Sequence, residues 1–277
     1  MAEVVKKQEG ALVNASFEEM SGLGFAETTT QDMSIPFLRI LGAQSPQVDE
    51  NEGAYVSGAR AGMIYNTVAN AVYSGASDKG ITVVPCYYNR RFVEWKPRDQ
   101  GGGYVGSYLP DDPIVATATR NDNNDEVLPN GNLLTNTAQH FVMLLEGEQY
   151  SRCLITMSST QLKKSRRWLS QMNAMTAMGK NGKPYTLPMM SQMYNLSTVP
   201  EQNDKGKWYG WVINRVRQLD LSDDLHKAIF ENSVAFSKSV EAGEVDVKEV
   251  VPDQAPTDLP PIKDAPKAKV ESDDDPF

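Results

Sequence analysis

The chain has 277 residues, with 36 acidic side chains against 27 basic ones, a net charge of −9 and a mean hydropathy of −0.45. No run of 18 apolar residues is present, which excludes a membrane-spanning helix, and the opening MAEVVKKQEG has no apolar stretch, so no secretory leader is expected. Two cysteines and two histidines are too few for a disulfide framework or a metal cluster, so a cytosolic protein without a cofactor is expected.

Residues 1–30 are polar apart from a short amphipathic stretch over residues 16–20, and are expected to form a flexible N-terminal arm. Residues 34–41, SIPFLRIL, are the first with enough apolar side chains to enter a core. Residues 81–88, ITVVPCYY, are β-branched and aromatic, and residues 90–96, RRFVEWK, continue them past Asn89, which predicts one long strand. Pro85 lacks a backbone donor, so that strand should bulge there or lie at an edge. Alternation puts Phe92, Glu94 and Lys96 on one face and Arg91, Val93 and Trp95 on the other. Residues 100–131, rich in Gly, Asn and Asp, read as a long polar loop, and such length usually has a functional reason.

Residues 140–145 (HFVMLL) and 152–157 (RCLITM) flank EGEQ and predict a hairpin. Ser158, Ser159 and Thr160 are capping candidates for a helix over residues 161–178, with Leu162, Leu169, Met172 and Met175 as its buried stripe. Residues 191–199 and 208–217 form a last predicted strand pair. A helix over residues 221–239, capped by Ser222 and Asp223, could dock through Leu225, Ile229, Ala235 and Phe236. Past residue 240, prolines and acids leave too little apolar surface to offset chain entropy. The fold class is therefore mainly β with an inserted helix (α+β). The order of three strands, a helix and two strands predicts an oligonucleotide/oligosaccharide-binding (OB) five-stranded barrel with extra loops over residues 31–240, followed by a disordered acidic tail over residues 241–277. A β-sandwich with one inserted helix fits the same order.

Charge is unevenly placed. Residues 241–277 hold eleven acids and four lysines, a net −7, which leaves −2 for the rest. Residues 149–200 carry Arg152, Lys163, Lys164, Arg166, Arg167, Lys180 and Lys183 and no acid. In the run Lys163-Lys164-Ser165-Arg166-Arg167-Trp168, like charges four apart repel on a helix, and a polyanion would relieve that repulsion. Tyr87, Tyr88, Arg90, Arg91, Trp95, Lys96 and Arg98 interleave rings and cations, the mixture that stacks unpaired bases and tracks phosphates. Lys205 and Lys207 add cations on a turn, while Trp211 reads as core. These groups are expected to converge on one groove for a single strand.

No phosphate-binding loop, nucleophile motif or paired metal ligands are present, and no catalytic residue is assigned. His140, Cys86 and Cys153 lie in apolar strands, where structural roles are expected. An interaction protein is the main rival, a transcription or recombination cofactor binding protein or RNA. A nuclease accessory subunit is a more distant one. The terminal Asp273-Asp274-Asp275-Pro276-Phe277 presents carboxylates for a basic rim and a ring for an apolar pocket, on a tether that raises its local concentration.

That ending resembles the acidic tip of bacterial single-stranded DNA-binding proteins, although the hydrophobic residue usual before the proline is absent. The body is similar to single-stranded DNA-binding proteins of tailed bacteriophages at SIPFL (34–38), VPCYYNRR (84–91) and SSTQLKKS (158–165). The resemblance implies an OB-fold core that grips single-stranded DNA without sequence preference during replication, recombination and repair. It also implies a tail that recruits replication or recombination proteins, and a location in the cytoplasm of the infected bacterial host. Homo-oligomerisation is left open.

Overall fold

The computed structural model describes residues 19–245 and 247, apart from 21, 30, 31, 204 and 205. Three short strands open the fold: β1 (Leu38–Ile40), β2 (Ile64–Asn66) and β3 (Ala71–Tyr73). The body continues with β4 (Ile81–Trp95), β5 (Tyr104–Tyr108), β6 (Thr119–Arg120), β7 (Glu126–Val127), β8 (Leu133–Glu146) and β9 (Gln149–Ser158). Helix α1 (Leu162–Asn173) leads into a ribbon, β10 (Thr176–Met178) and β11 (Pro184–Thr186). Strands β12 (Gln192–Asn203) and β13 (Gly206–Gln218) and helix α2 (Asp224–Glu241) follow.

Strand β4 is the spine. It pairs with β8 from Thr82↔Leu145 to Trp95↔Leu133. On its other edge β12 takes the first part, Tyr194↔Val83 to Leu196↔Ile81, and β5 takes the last, Phe92↔Tyr108 to Trp95↔Tyr104. Pro85 is accommodated by a bulge against β8 between Pro85 and Tyr87, so a central strand tolerates the missing donor without being an edge. The five long strands lie in the order β13-β12-β4-β8-β9, every neighbour antiparallel, and the sheet curls into a half-barrel.

Among the described residues no ladder joins β9 to β13. Two substitutes occupy those edges. The Leu154 amide of β9 donates to the Pro36 carbonyl at 2.8 Å, and Phe37 bridges Leu154 in parallel. On β13, the Trp211 amide donates to the side-chain Oε1 of buried Gln161 at 3.0 Å. An amide that would otherwise be orphaned in a dry interior is thereby satisfied.

The apolar run of β8 is explained by burial on both faces. On one face Ala138, Val142 and Leu144 meet Ile155, Leu196 and Trp211, beneath Trp168 and Met172 of α1. On the other, Phe141 and Met143 meet Val84, Leu154 and, from α2, Ile229 and Phe236. Each Val, Leu, Ile, Phe or Met among them contributes roughly 1.5–3 kcal/mol by leaving water. The Asp223 side chain caps α2, accepting from the His226 amide at 2.9 Å. Leu225, Ile229 and Phe236 dock as the spacing suggests, whereas Ala235 stays exposed.

Two local expectations are corrected. The helix expected over residues 161–178 ends at Asn173, and residues 176–178 pair with β11 instead. A 3₁₀ turn, Ser159–Gln161, precedes α1 with no side-chain cap. Residues 100–131 are not one loop: β5 extends the sheet, and Ile114, Val115 and Leu128 build a satellite core on Phe92 and Leu134. The expected arm falls partly outside the described residues; its described residues 22–28 form turns, and the expected tail falls outside them beyond residue 247.

Candidate nucleic-acid interface

Helix α1 and the last residue of the turn before it face Gln161, Ser165, Trp168 and Met172 inward, an i, i+4, i+7, i+11 row. Trp168 is 1% exposed. Its indole stacks on the His140 ring at 4.7 Å and meets Tyr194 edge-on at 5.4 Å. His140 Nε2 and Ser165 Oγ share a 2.8 Å hydrogen bond, and burial pushes the imidazole down to about 3, so it is neutral near pH 7. Trp168 is therefore a core residue, which corrects its expected place among the nucleic-acid contacts. Its neighbouring cations hid its position on the buried row.

The opposite face of α1 carries Lys163, Arg166 and Arg167, all exposed. Among the described residues no carboxylate pairs with any of the three, and the first turn holds no acid. Positive charge at the N-terminal end of a helix opposes its dipole, so this arrangement costs stability unless an anion is present. Lys164 is different. Its Nζ lies 2.5 Å from the Glu201 carboxylate, which also accepts from Trp208 Nε1 at 2.8 Å and Gln161 Nε2 at 3.3 Å. Burial works against ionisation of Glu201, but these donors and the ammonium outweigh it and hold its carboxyl below the usual range. A Cβ at Gly210 would displace the ends of both partners, so the glycine leaves room for the pair on β13. Lys164 thus ties α1 to β12 rather than offering a free charge.

Alternation divides the cations and rings of β4. Tyr88 and Arg90 share the α1 face with His140 and Ala138: Tyr88 lies 5.1 Å from the His140 ring, and Arg90 donates to Asn136 Oδ1 at 2.9 Å and sits 5.4 Å from the Phe92 centroid. Tyr87 and Arg91 face the other side, with Tyr87 edge-on to Phe141 at 6.1 Å. Trp95 is 6% exposed, closed over by Tyr104 at 5.9 Å and 77°, so it cannot stack on a base as expected. Arg152 lies 5.3 Å over the Phe236 ring, on the α2 side of β9 and away from α1. Lys96 is exposed beyond the end of β4, Arg98 lies in the 3₁₀ turn Arg98–Gln100, and Lys207 is exposed at the start of β13. Lys205 and Asp273, Asp274, Asp275, Pro276 and Phe277 lie outside the described residues. One groove holding all these groups is not what the strands build. Three of the exposed cations, Lys163, Arg166 and Arg167, share α1, while exposed Arg90 lies two residues beyond Tyr88 on the same face of β4.

Glu94 and its neighbours were not foreseen. Glu94 is buried and accepts from Tyr108, Asn130 and Asn132. Burial opposes its charge, yet those three donors hold its carboxyl below the usual range, while the bond to Glu94 pushes the Tyr108 hydroxyl up to about 12. The cage fastens β5 and the 128–132 turn to β4, a structural task. Among the described residues no group of three His, Cys, Asp or Glu side chains could hold a metal ion, and no helix is long and apolar enough to cross a membrane.

Compared with protein-family models, residues 6–246 match the one described as Pam3 phage gp34-like protein. No curated protein and no solved structure matches the chain.

Proposed function

The chain belongs to the Pam3 phage gp34-like protein family, and from that premise we propose that it binds single-stranded DNA without sequence preference. The observation that carries this reading is the outer face of α1: Lys163, Arg166 and Arg167, exposed and without a carboxylate partner among the described residues, inside a stretch of 52 residues that contains no acid. A sugar-phosphate backbone supplies the missing counter-charge, and counterion release supplies the driving force. Arg90 and Tyr88 extend the contact at the same face of β4, where exposed Arg90 offers a guanidinium beside the partly buried Tyr88 ring.

The strand order β13-β12-β4-β8-β9, with α1 between the third and fourth strands in sequence, supports reading the half-barrel as an OB-fold. In this reading the protein coats single strands during phage DNA replication, recombination and repair in the host cytoplasm. It is not an enzyme, and the Asp273–Asp275 acids with Pro276 and Phe277 capture partner proteins. Binding of end-labelled oligo-dT of about 30 nucleotides, longer than the ~4–16 nucleotides an OB domain occupies, tests the reading by anisotropy against duplex of equal length. Preference for the single strand is the expected result. Absence of binding at low salt, or a preference for duplex, overturns it.

A further inference from the structure

The connection from α1 to β12 spans residues 174–191, although linking a helix to a strand commonly takes about 2–6 residues. The extra length builds the β10–β11 ribbon, paired from Thr176↔Thr186 to Met178↔Pro184. Among the described residues no other strand pairs with it, and residues 180–186 are all exposed. A two-stranded ribbon gains little stability alone. Core packing therefore gives no reason for its length.

What the ribbon presents is chemically specific. Its turn, residues 179–183, is fixed by Gly182 N–H to Gly179 O at 2.9 Å, Gly179 N–H to Lys183 O at 2.9 Å and Lys183 N–H to Asn181 Oδ1 at 3.0 Å. The turn holds Lys180 and Lys183 out into solvent, with no carboxylate paired to either among the described residues. Tyr185 is 50% exposed and its ring runs beside the turn, with Cδ1 3.6 Å from where a Gly179 side chain would begin. No described residue stacks on that ring or bonds its hydroxyl. The base is anchored: Leu187 N–H donates to Met175 O at 2.8 Å, and the Met175 sulfur accepts from the buried Tyr194 at 4.0 Å. The ribbon follows the C-terminal end of α1, the helix about 18 Å long that carries Lys163, Arg166 and Arg167.

We propose that the β10–β11 ribbon is a second contact for the single strand, in which Tyr185 stacks on a base and Lys180 and Lys183 hold the phosphates beside it. Two lysines without acids select a polyanion, and a free ring face on the same ribbon selects unpaired bases over the sealed stack of a duplex. The assignment rests on the single-strand reading above and names the part of the surface that reading leaves open.

The test uses the full chain, labelled oligo-dT, and three variants: Tyr185→Ala, Tyr185→Phe and the double K180A/K183A. Tyr185→Ala should weaken binding about tenfold, with Tyr185→Phe close to the parent, because stacking needs the ring and not the hydroxyl. K180A/K183A should reduce the slope of log K against log salt by about 1.4, the value for two phosphate contacts on a single strand. All three should keep the parent's melting temperature, since the ribbon carries no core side chain. If the parent binds oligo-dT and the variants match it in affinity and slope, the ribbon is not a contact, although the α1 reading survives. If the parent itself does not bind, both proposals fall.

Discussion

Lys164 Nζ and the Glu201 carboxylate meet at 2.5 Å, each side chain only about a quarter exposed, and the pair joins the first turn of α1 to the far half of β12. The carboxylate of Glu201 is therefore spent on a fastening. Glu201→Gln keeps an acceptor for Trp208 and removes the charge. The half-buried pair should cost roughly 1–2 kcal/mol to break, between exposed and buried cases. Affinity for oligo-dT should rise about two- to fivefold at low salt and converge with the parent at high salt. Chemical denaturation and anisotropy on the same variant check both halves.

Trp168 should behave as a core residue and not as a ligand contact. Trp168→Ala empties the space against His140 and Tyr194 and should cost about 3–5 kcal/mol. Trp168→Phe should lose less stability and bind oligo-dT as the parent does once folded. A folded Trp168→Phe protein with selectively lost binding would return the ring to the interface.

His140 makes stability depend on pH. Its folded-state value, about 3, lies below the ordinary 6.5, so the unfolded chain takes up a proton that the folded one refuses. Stability is complete above pH 6.5 and falls as pH drops toward 3, by about 1.4 kcal/mol per unit from this group. Between pH 6.5 and 5, ahead of most carboxylates, urea midpoints of the parent should fall while those of His140→Gln change little.

The sheet's long strands and α2 were legible because their apolar content is local and continuous, as in FVMLL of β8. What escaped depended on partners distant in sequence. β1, β2 and β3 are three residues each, too short for an alternating pattern. β10 continued the Met172–Met175 spacing of the preceding helix, so only pairing with β11 reveals it as a strand. Trp95 looked available because Tyr104, which covers it, lies in a segment rich in glycine and asparagine. Glu201 lies 37 residues from Lys164, so nothing near the cationic run announced that one of its charges was already paired.

The cations of α1 carry the proposed function, and their contribution is measured most directly as a salt slope. Oligo-dT affinity should be followed across a range of salt for the parent and for Lys163→Ala, Arg166→Ala and Arg167→Ala. Each substitution should lower the magnitude of the slope by about 0.7 and weaken binding, with the folded state intact. Parent-like slopes and affinities in all three variants would show that α1 does not touch the strand, and the proposed function would fail with it.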